Sequence, residues 1–250
     1  TLNGRLNASV ASKPNSLLYL WDRKLSPKPQ PHFQGPDLSR VANMLLPIDG
    51  NQLLLVGGKG VRQWDLKSGT LNREFRSHGR ITCASISPNS KLVATGGVEK
   101  TVKVWDIDSA KSIYQFQNKN CDKISAVQFL SDELILIADE SGFVFLVDIS
   151  KPQMTDNQPL LENGSKVNSI CVSADKELIF LGCDDGVVSV WNLASKTKLK
   201  TLEHSDRVLS VAISDDGRLL ATGTADNLGH VWDAVTWKKV GESTGHAAPV

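Results

Sequence analysis

Thr101-Val102-Lys103-Val104-Trp105-Asp106 alternates apolar and polar side chains and closes on an aromatic–acid pair. Alternation of this kind places successive side chains on opposite faces of an extended chain, so the hexamer reads as a β-strand. Moving outward, the same closure recurs. LeuTyrLeu precedes Trp21-Asp22, ValArgGln precedes Trp64-Asp65, and ValPheLeu precedes Val147-Asp148. ValSerVal precedes Trp191-Asn192, and GlyHisVal precedes Trp232-Asp233. Successive closures lie 43, 41, 42, 44 and 41 residues apart. A period this regular marks a radial repeat whose unit cannot bury its own hydrophobic face.

Within the unit closed by Trp105, Ile81–Ser87 alternates, Pro88-Asn89-Ser90 turns and Leu92–Gly96 forms a second run. Gly97–Lys100 turns again, Thr101–Asp106 is a third run and Ser112–Phe116 a fourth. Asp49-Gly50-Asn51, Asp132-Glu133 and Asp215-Asp216-Gly217 occupy the place of Pro88-Asn89-Ser90 in other units. No stretch sustains a helical period, so each repeat is expected to be a four-stranded antiparallel sheet and the chain all-β.

With 28 Lys+Arg against 27 Asp+Glu, the formal charge is +1, which excludes a globally basic nucleic-acid binder and an acidic tail. Hydrophobic residues at 40% and charged residues at 22% suit a chain with a sizeable core. No apolar run approaches the roughly 18–20 residues of a membrane span, and Thr1–Val10 lacks the pattern of a signal peptide. Cys83, Cys121, Cys171 and Cys183 form no CxxC pair, and three lie in apolar alternating runs, as buried thiols in a reducing compartment do. The five histidines have no metal-ligand spacing, so neither metal nor cofactor is expected.

These repeats resemble the WD-repeat β-propeller family across essentially the whole chain. The family's unit carries a Gly-His pair, an Asp in a tight turn and a Trp-Asp pair some 28 residues after the His. Gly245-His246, Ser77-His78 and Glu203-His204 stand at the first of these places. The resemblance implies a structural hydrogen-bond network of His, a second-strand Ser or Thr, the turn Asp and the Trp. It maps onto His204, Thr222 or Thr224, Asp226 and Trp232, and onto His78, Thr95 and Trp105 with Glu99 in place of Asp. The units closed by Trp21, Trp64 and Val147 retain little of it. A related set of polar residues in two units reads as paired, blade-fixing polar groups, not as a catalytic triad. Gly57-Gly58-Lys59-Gly60 sits in a hairpin and not between a strand and a helix, which removes the phosphate-loop reading.

The expected organisation is a partial blade at 1–36, blades near 37–77, 78–119, 120–162, 163–203 and 204–244, and the start of another at 245–250. That is about six blades of a seven-bladed or longer array. First strands are expected at Val41, Ile81, Ile124, Val167 and Val208, and the start at Thr rather than Met fits a segment. Two segments break the period: Arg23–Arg40, with Pro27, Pro29, Pro31 and Pro36, and Ser150–Asn163.

Function must come from surfaces, because a fold hosts many functions. The residue before each first strand is basic: Arg40, Arg80, Lys123, Lys166 and Arg207. By resemblance to the family this position lies at the inner rim of a face where partners dock. A ring of cations there would attract an acidic or phosphorylated peptide ahead of nucleic acid. Local neutralisation by Glu99, Asp139, Glu140, Asp184, Asp185 and Asp226 is the competing reading. The expectation is a cytoplasmic (or nuclear), non-enzymatic protein-interaction scaffold with no small-molecule substrate and no membrane contact. The alternative is a WD-repeat regulatory segment of a larger signalling ATPase or kinase.

Overall fold

A computed structural model describes residues 6–11, 17–22, 30–34, 41–45, 51–58, 60–76, 79–151 and 158–244. Among these residues every regular element is a strand. The first sheet has three strands, β1 (Leu6–Ala11), β2 (Leu17–Asp22) and β3 (Gln30–Gln34). Five four-stranded antiparallel meanders follow. They are β4 (Val41–Leu45), β5 (Gln52–Gly57), β6 (Gly60–Asp65) and β7 (Thr70–Arg76), then β8 (Ile81–Ile86), β9 (Leu92–Gly97), β10 (Thr101–Asp106) and β11 (Lys111–Gln117). Next come β12 (Ile124–Phe129), β13 (Leu134–Asp139), β14 (Phe143–Asp148) and β15 (Leu161–Glu162). The last two are β16 (Val167–Val172), β17 (Leu178–Cys183), β18 (Val187–Asn192) and β19 (Thr197–Glu203), and β20 (Val208–Ile213), β21 (Leu219–Thr224), β22 (Gly229–Asp233) and β23 (Lys239–Ser243).

Short polar side chains make the turns. Asp65, Asp106, Asp148, Asn192 and Asp233 each accept backbone N–H groups two or three residues on, which bends the chain from third to fourth strand. This is the work of the acid in each Trp-Asp pair. Between first and second strands, Ser87, Ser173 and Ser214 accept the amides of Leu92, Leu178 and Leu219. The third strand's hairpin needs a left-handed residue, and Lys100, Gly142, Gly186 and Asn227 supply it in successive sheets.

The core lies between sheets, not within them. One cluster joins Val56, Phe75, Ile81 and Trp105; the next joins Val102, Phe116, Ile124 and Phe145. A third unites Leu136, Val144, Val167 and Leu181, and a fourth Phe180, Leu202, Val208 and Trp232. The first strands are the contacting edges: β4 adjoins β8, β8 adjoins β12, β12 adjoins β16 and β16 adjoins β20. Each first strand bulges after its opening residue, leaving Ala42, Thr82, Ser125, Asn168 and Leu209 out of the ladder. Two of these reach the neighbouring sheet. Thr82 Oγ1 donates to the Ile124 carbonyl at 2.7 Å, and Asn168 Nδ2 donates to the Val208 carbonyl at 3.0 Å.

The second period-breaking segment shortens its fourth strand, β15, to two residues. Most of Arg23–Arg40 lies outside the described residues, as do the segments that would begin the first sheet and follow the last.

Candidate functional site

The basic positions are structurally equivalent. The Arg80, Lys123, Lys166 and Arg207 carbonyls accept the amides of Val98, Glu140, Asp184 and Ala225, each one residue past the second strand of its own sheet. Arg40 lies outside the described residues. Each cation therefore faces the hairpin of its own sheet and that of the sheet before, and the residues there decide its neutralisation. Glu140 takes Lys123 at 3.3 Å and Lys166 at 2.9 Å, which brings those two cations onto one carboxylate. Hydrogen bonds from Lys166 and then Lys123 hold the Glu140 carboxyl below the ordinary glutamate range. Arg207 stands 4.0 Å from Asp184 and 3.9 Å from Asp206, at the outer limit of pairing. Around Arg80 the corresponding hairpin positions carry Gly58 and Val98 instead of acids. Its guanidinium is exposed and makes no ion pair among the described residues.

The other hairpin acids are employed differently. Asp139 is fully buried and accepts the amides of Asp122, Ser141 and Phe143, so it serves the backbone and not the rim. Asp226 accepts hydrogen bonds from Ser205 and Thr224, which lower its pKa. Glu99 and Asp185 make no ion pair among the described residues.

The polar groups behind the rim have separate geometries. His204 Nδ1 lies 3.1 Å from the Leu202 carbonyl and must carry the proton. Nε2 is then an acceptor for the Thr222 hydroxyl at 2.8 Å, and the Trp232 indole N–H donates to Thr222 Oγ1 at 3.3 Å. Burial, aided by neighbouring His230, pulls the His204 pKa down to about 4, so the ring is neutral at neutral pH. The unit closed by Trp105 keeps one link, the indole N–H donating to Thr95 Oγ1 at 2.9 Å, while His78 lies outside the described residues. In the unit closed by Trp191, Leu181 replaces the threonine, and the indole donates to Asn163 Oδ1 at 3.3 Å. Sequence reasoning missed Asn163. Its position 28 residues before Trp191 matches that of His204 before Trp232 and could have revealed it.

Burial raises the thiols of Cys83 and Cys171 to about 12 and that of Cys183 to about 11. Among the described residues no three His, Cys, Asp or Glu side chains gather as metal ligands, and no helix is long and apolar enough to cross a membrane.

Four-stranded antiparallel meanders that share inter-sheet cores and meet along their first strands define a blade-repeat protein of the β-propeller class. The sequence matches the family described as "WD domain, G-beta repeat" at residues 69–106, 157–192 and 196–233. Three segments of the chain are thus similar to WD repeats. It is 30% identical over 160 residues to "Small ribosomal subunit protein RACK1" of Neurospora crassa, covering 60% of this chain and 50% of that protein. "MST50-interacting protein 11" of Pyricularia oryzae is 29% identical over 160 residues, with the same coverage. "Cross-pathway control WD-repeat protein 2" of Flammulina velutipes is 29% identical over 144 residues, or 54% of this chain and 45% of that one. The chain thus spans about half the length of the curated relatives it matches. Nothing in these similarities favours the alternative of a regulatory segment of an ATPase or kinase.

Proposed function

We propose that this chain is a non-enzymatic scaffold, acting in the cytoplasm, that docks an acidic or phosphorylated segment of a partner protein on its basic rim. The observation that carries the reading is the uneven neutralisation of that rim. Lys123 and Lys166 share Glu140, whereas Arg80 is exposed, has Gly58 and Val98 at the positions equivalent to Glu140 and makes no ion pair among the described residues, and Arg207 is only loosely paired. A planar guanidinium with open donors suits a carboxylate or phosphate, which it can hold through two parallel hydrogen bonds. The relatives' names supply the type of activity: one is a ribosomal subunit protein and another interacts with MST50, so both assemble with other macromolecules.

The test is capture from a native lysate by the parent chain and by an Arg80→Glu, Arg207→Glu variant. Proteins held by the parent should be lost from the variant, and their retention should fall as salt rises from low to physiological strength. Equal capture by both at every salt concentration defeats the reading, and capture abolished by nuclease reassigns the rim to nucleic acid.

A further inference from the structure

At the opposite edge of the sheets, a cavity of about 300 Å³ opens between the end of β19 and the strands β22 and β23. Glu203, His204, His230, Trp232, Lys239 and Glu242 line it. His230 is the anomaly there. Its side chain is 5% exposed, and neither ring nitrogen has a hydrogen-bond partner among the described residues. Nδ1 is only within 3.5 Å of the Glu242 carboxylate. A buried ring with both nitrogens unused is costly unless a ligand or solvent satisfies it.

The repeat shows what such a place accepts. Beside Trp105, the ammonium of Lys103 lies 5.7 Å from the ring centre, and beside Trp191 that of Lys198 lies 5.2 Å away. Lys103 stands two residues before its tryptophan, the position of His230; Lys198 pairs opposite its tryptophan, the position of Lys239. In the last sheet, among the described residues, no lysine lies over the tryptophan ring. Histidine replaces the first lysine, and Glu242 draws Lys239 into an ion pair. Gln115 and Thr201, the counterparts of Glu242 in the other two sheets, carry no charge with which to do this. Among the described residues no cation lies over Trp232.

The lining is also electrically one-sided. Glu203 and Glu242 contribute two carboxylates against the single ammonium of Lys239, and Asp226 adds its negative field at Glu242. The neighbouring His204 contributes no charge at neutral pH. An aromatic wall with surplus carboxylates attracts a cation. The volume lies at the small end of the roughly 300–1,000 Å³ typical of ligand sites, so it suits one long side chain and not a folded peptide.

We propose that the cleft beside Trp232 is a docking subsite for a basic side chain, lysine or arginine, of a partner protein. The subsite is separate from the basic rim and takes the opposite charge.

The probe is Nα-acetyl-lysine amide, with Nα-acetyl-norleucine amide as a control of similar stem and no charge. The readout is the Trp232 indole N–H resonance of the intact chain, assigned through Trp232→Phe. The lysine probe should shift it saturably, with affinity about tenfold or more above that of the norleucine probe. Glu203→Gln, at an exposed position, should weaken the lysine probe about three- to tenfold without disturbing the fold. His230→Lys installs the residue type of Lys103 and should remove the response by filling the cleft from within. Arg80→Glu should leave the response unchanged, which keeps this test independent of the rim. No shift up to the solubility of the probe, an equal response to norleucine, or full binding by Glu203→Gln overturns the proposal.

Discussion

The neutral His204 ring has a measurable consequence. Its hydroxyl donor, Thr222, is 3% exposed and also receives the Trp232 indole, so one oxygen joins two aromatic side chains. Thr222→Val should cost about 1–3 kcal/mol, because it strands His204 Nε2 and the indole N–H without partners. Urea denaturation of the two proteins checks it. The pH dependence follows in sign. The folded His204 pKa, about 4, lies below its ordinary 6.5, so the unfolded chain binds the proton more readily. Stability from this group is complete above about pH 6.5 and is lost as pH falls toward about 4. His204→Asn, which copies Asn163 of the preceding sheet, should lose this dependence. The stability difference between parent and variant should therefore shrink from about pH 7.5 to about pH 5, and a constant difference would show that His204 does not titrate as described.

Strand geometry depends on single turn residues. Asp106 Oδ1 accepts the Ser109 amide at 2.7 Å and its hydroxyl at 2.6 Å, and Asn192 makes the same two contacts with Ser195. The turn thus requires a side-chain oxygen at that reach, not a charge. Asp106→Asn should melt close to the parent, whereas Asp106→Ala should melt lower; thermal unfolding followed by circular dichroism separates them. Gly142 sits under a stricter constraint. Its φ is +87°, and a Cβ there would lie 2.6 Å from the Ser165 carbonyl oxygen. Gly142→Ala should destabilise the chain by about 2–3 kcal/mol, since both the dihedral and the clash oppose it.

For the molecule as a whole, stability rests on the contacts between neighbouring sheets. The cores lie between sheets, and serine hydroxyls cross the same boundaries. Ser85 Oγ accepts the Phe129 amide at 3.1 Å, and Ser169 Oγ accepts the Val211 amide at 3.2 Å. Ser85→Ala should cost about 1–3 kcal/mol by leaving a buried N–H unpaired. Because such arrays behave as units coupled to their nearest neighbours, the loss should concentrate in the two sheets that meet there. Hydrogen exchange checks the location: protection should fall in β8, β9, β12 and β13 and persist in β20–β22. A uniform fall would show that the sheets unfold as one block.

Much of this architecture was already present in the spacing of one aromatic–acid pair. A period near 42 residues with alternation inside it fixes strand number, sheet type and the need for neighbouring sheets, because these follow from local geometry and from which faces must leave water. The described strands Ile81–Ile86, Leu92–Gly97 and Thr101–Asp106 match their expected counterparts to within a residue or two. The basic residue before each first strand was legible for the same reason, since position within a repeat is a local property. The charge state of that rim was not. Glu140 serves two lysines from different sheets, Asp139 turns inward to the backbone, and Arg80 makes no ion pair among the described residues, and each outcome depends on contacts between chain segments tens of residues apart. The cleft at Trp232 was likewise invisible in sequence. His230, Glu242 and Lys239 are unremarkable in a row of letters, and they make a site only when β22 and β23 pack beside the end of β19. Periodicity records which face of a strand is buried; which side chains from separate strands meet there is decided by packing.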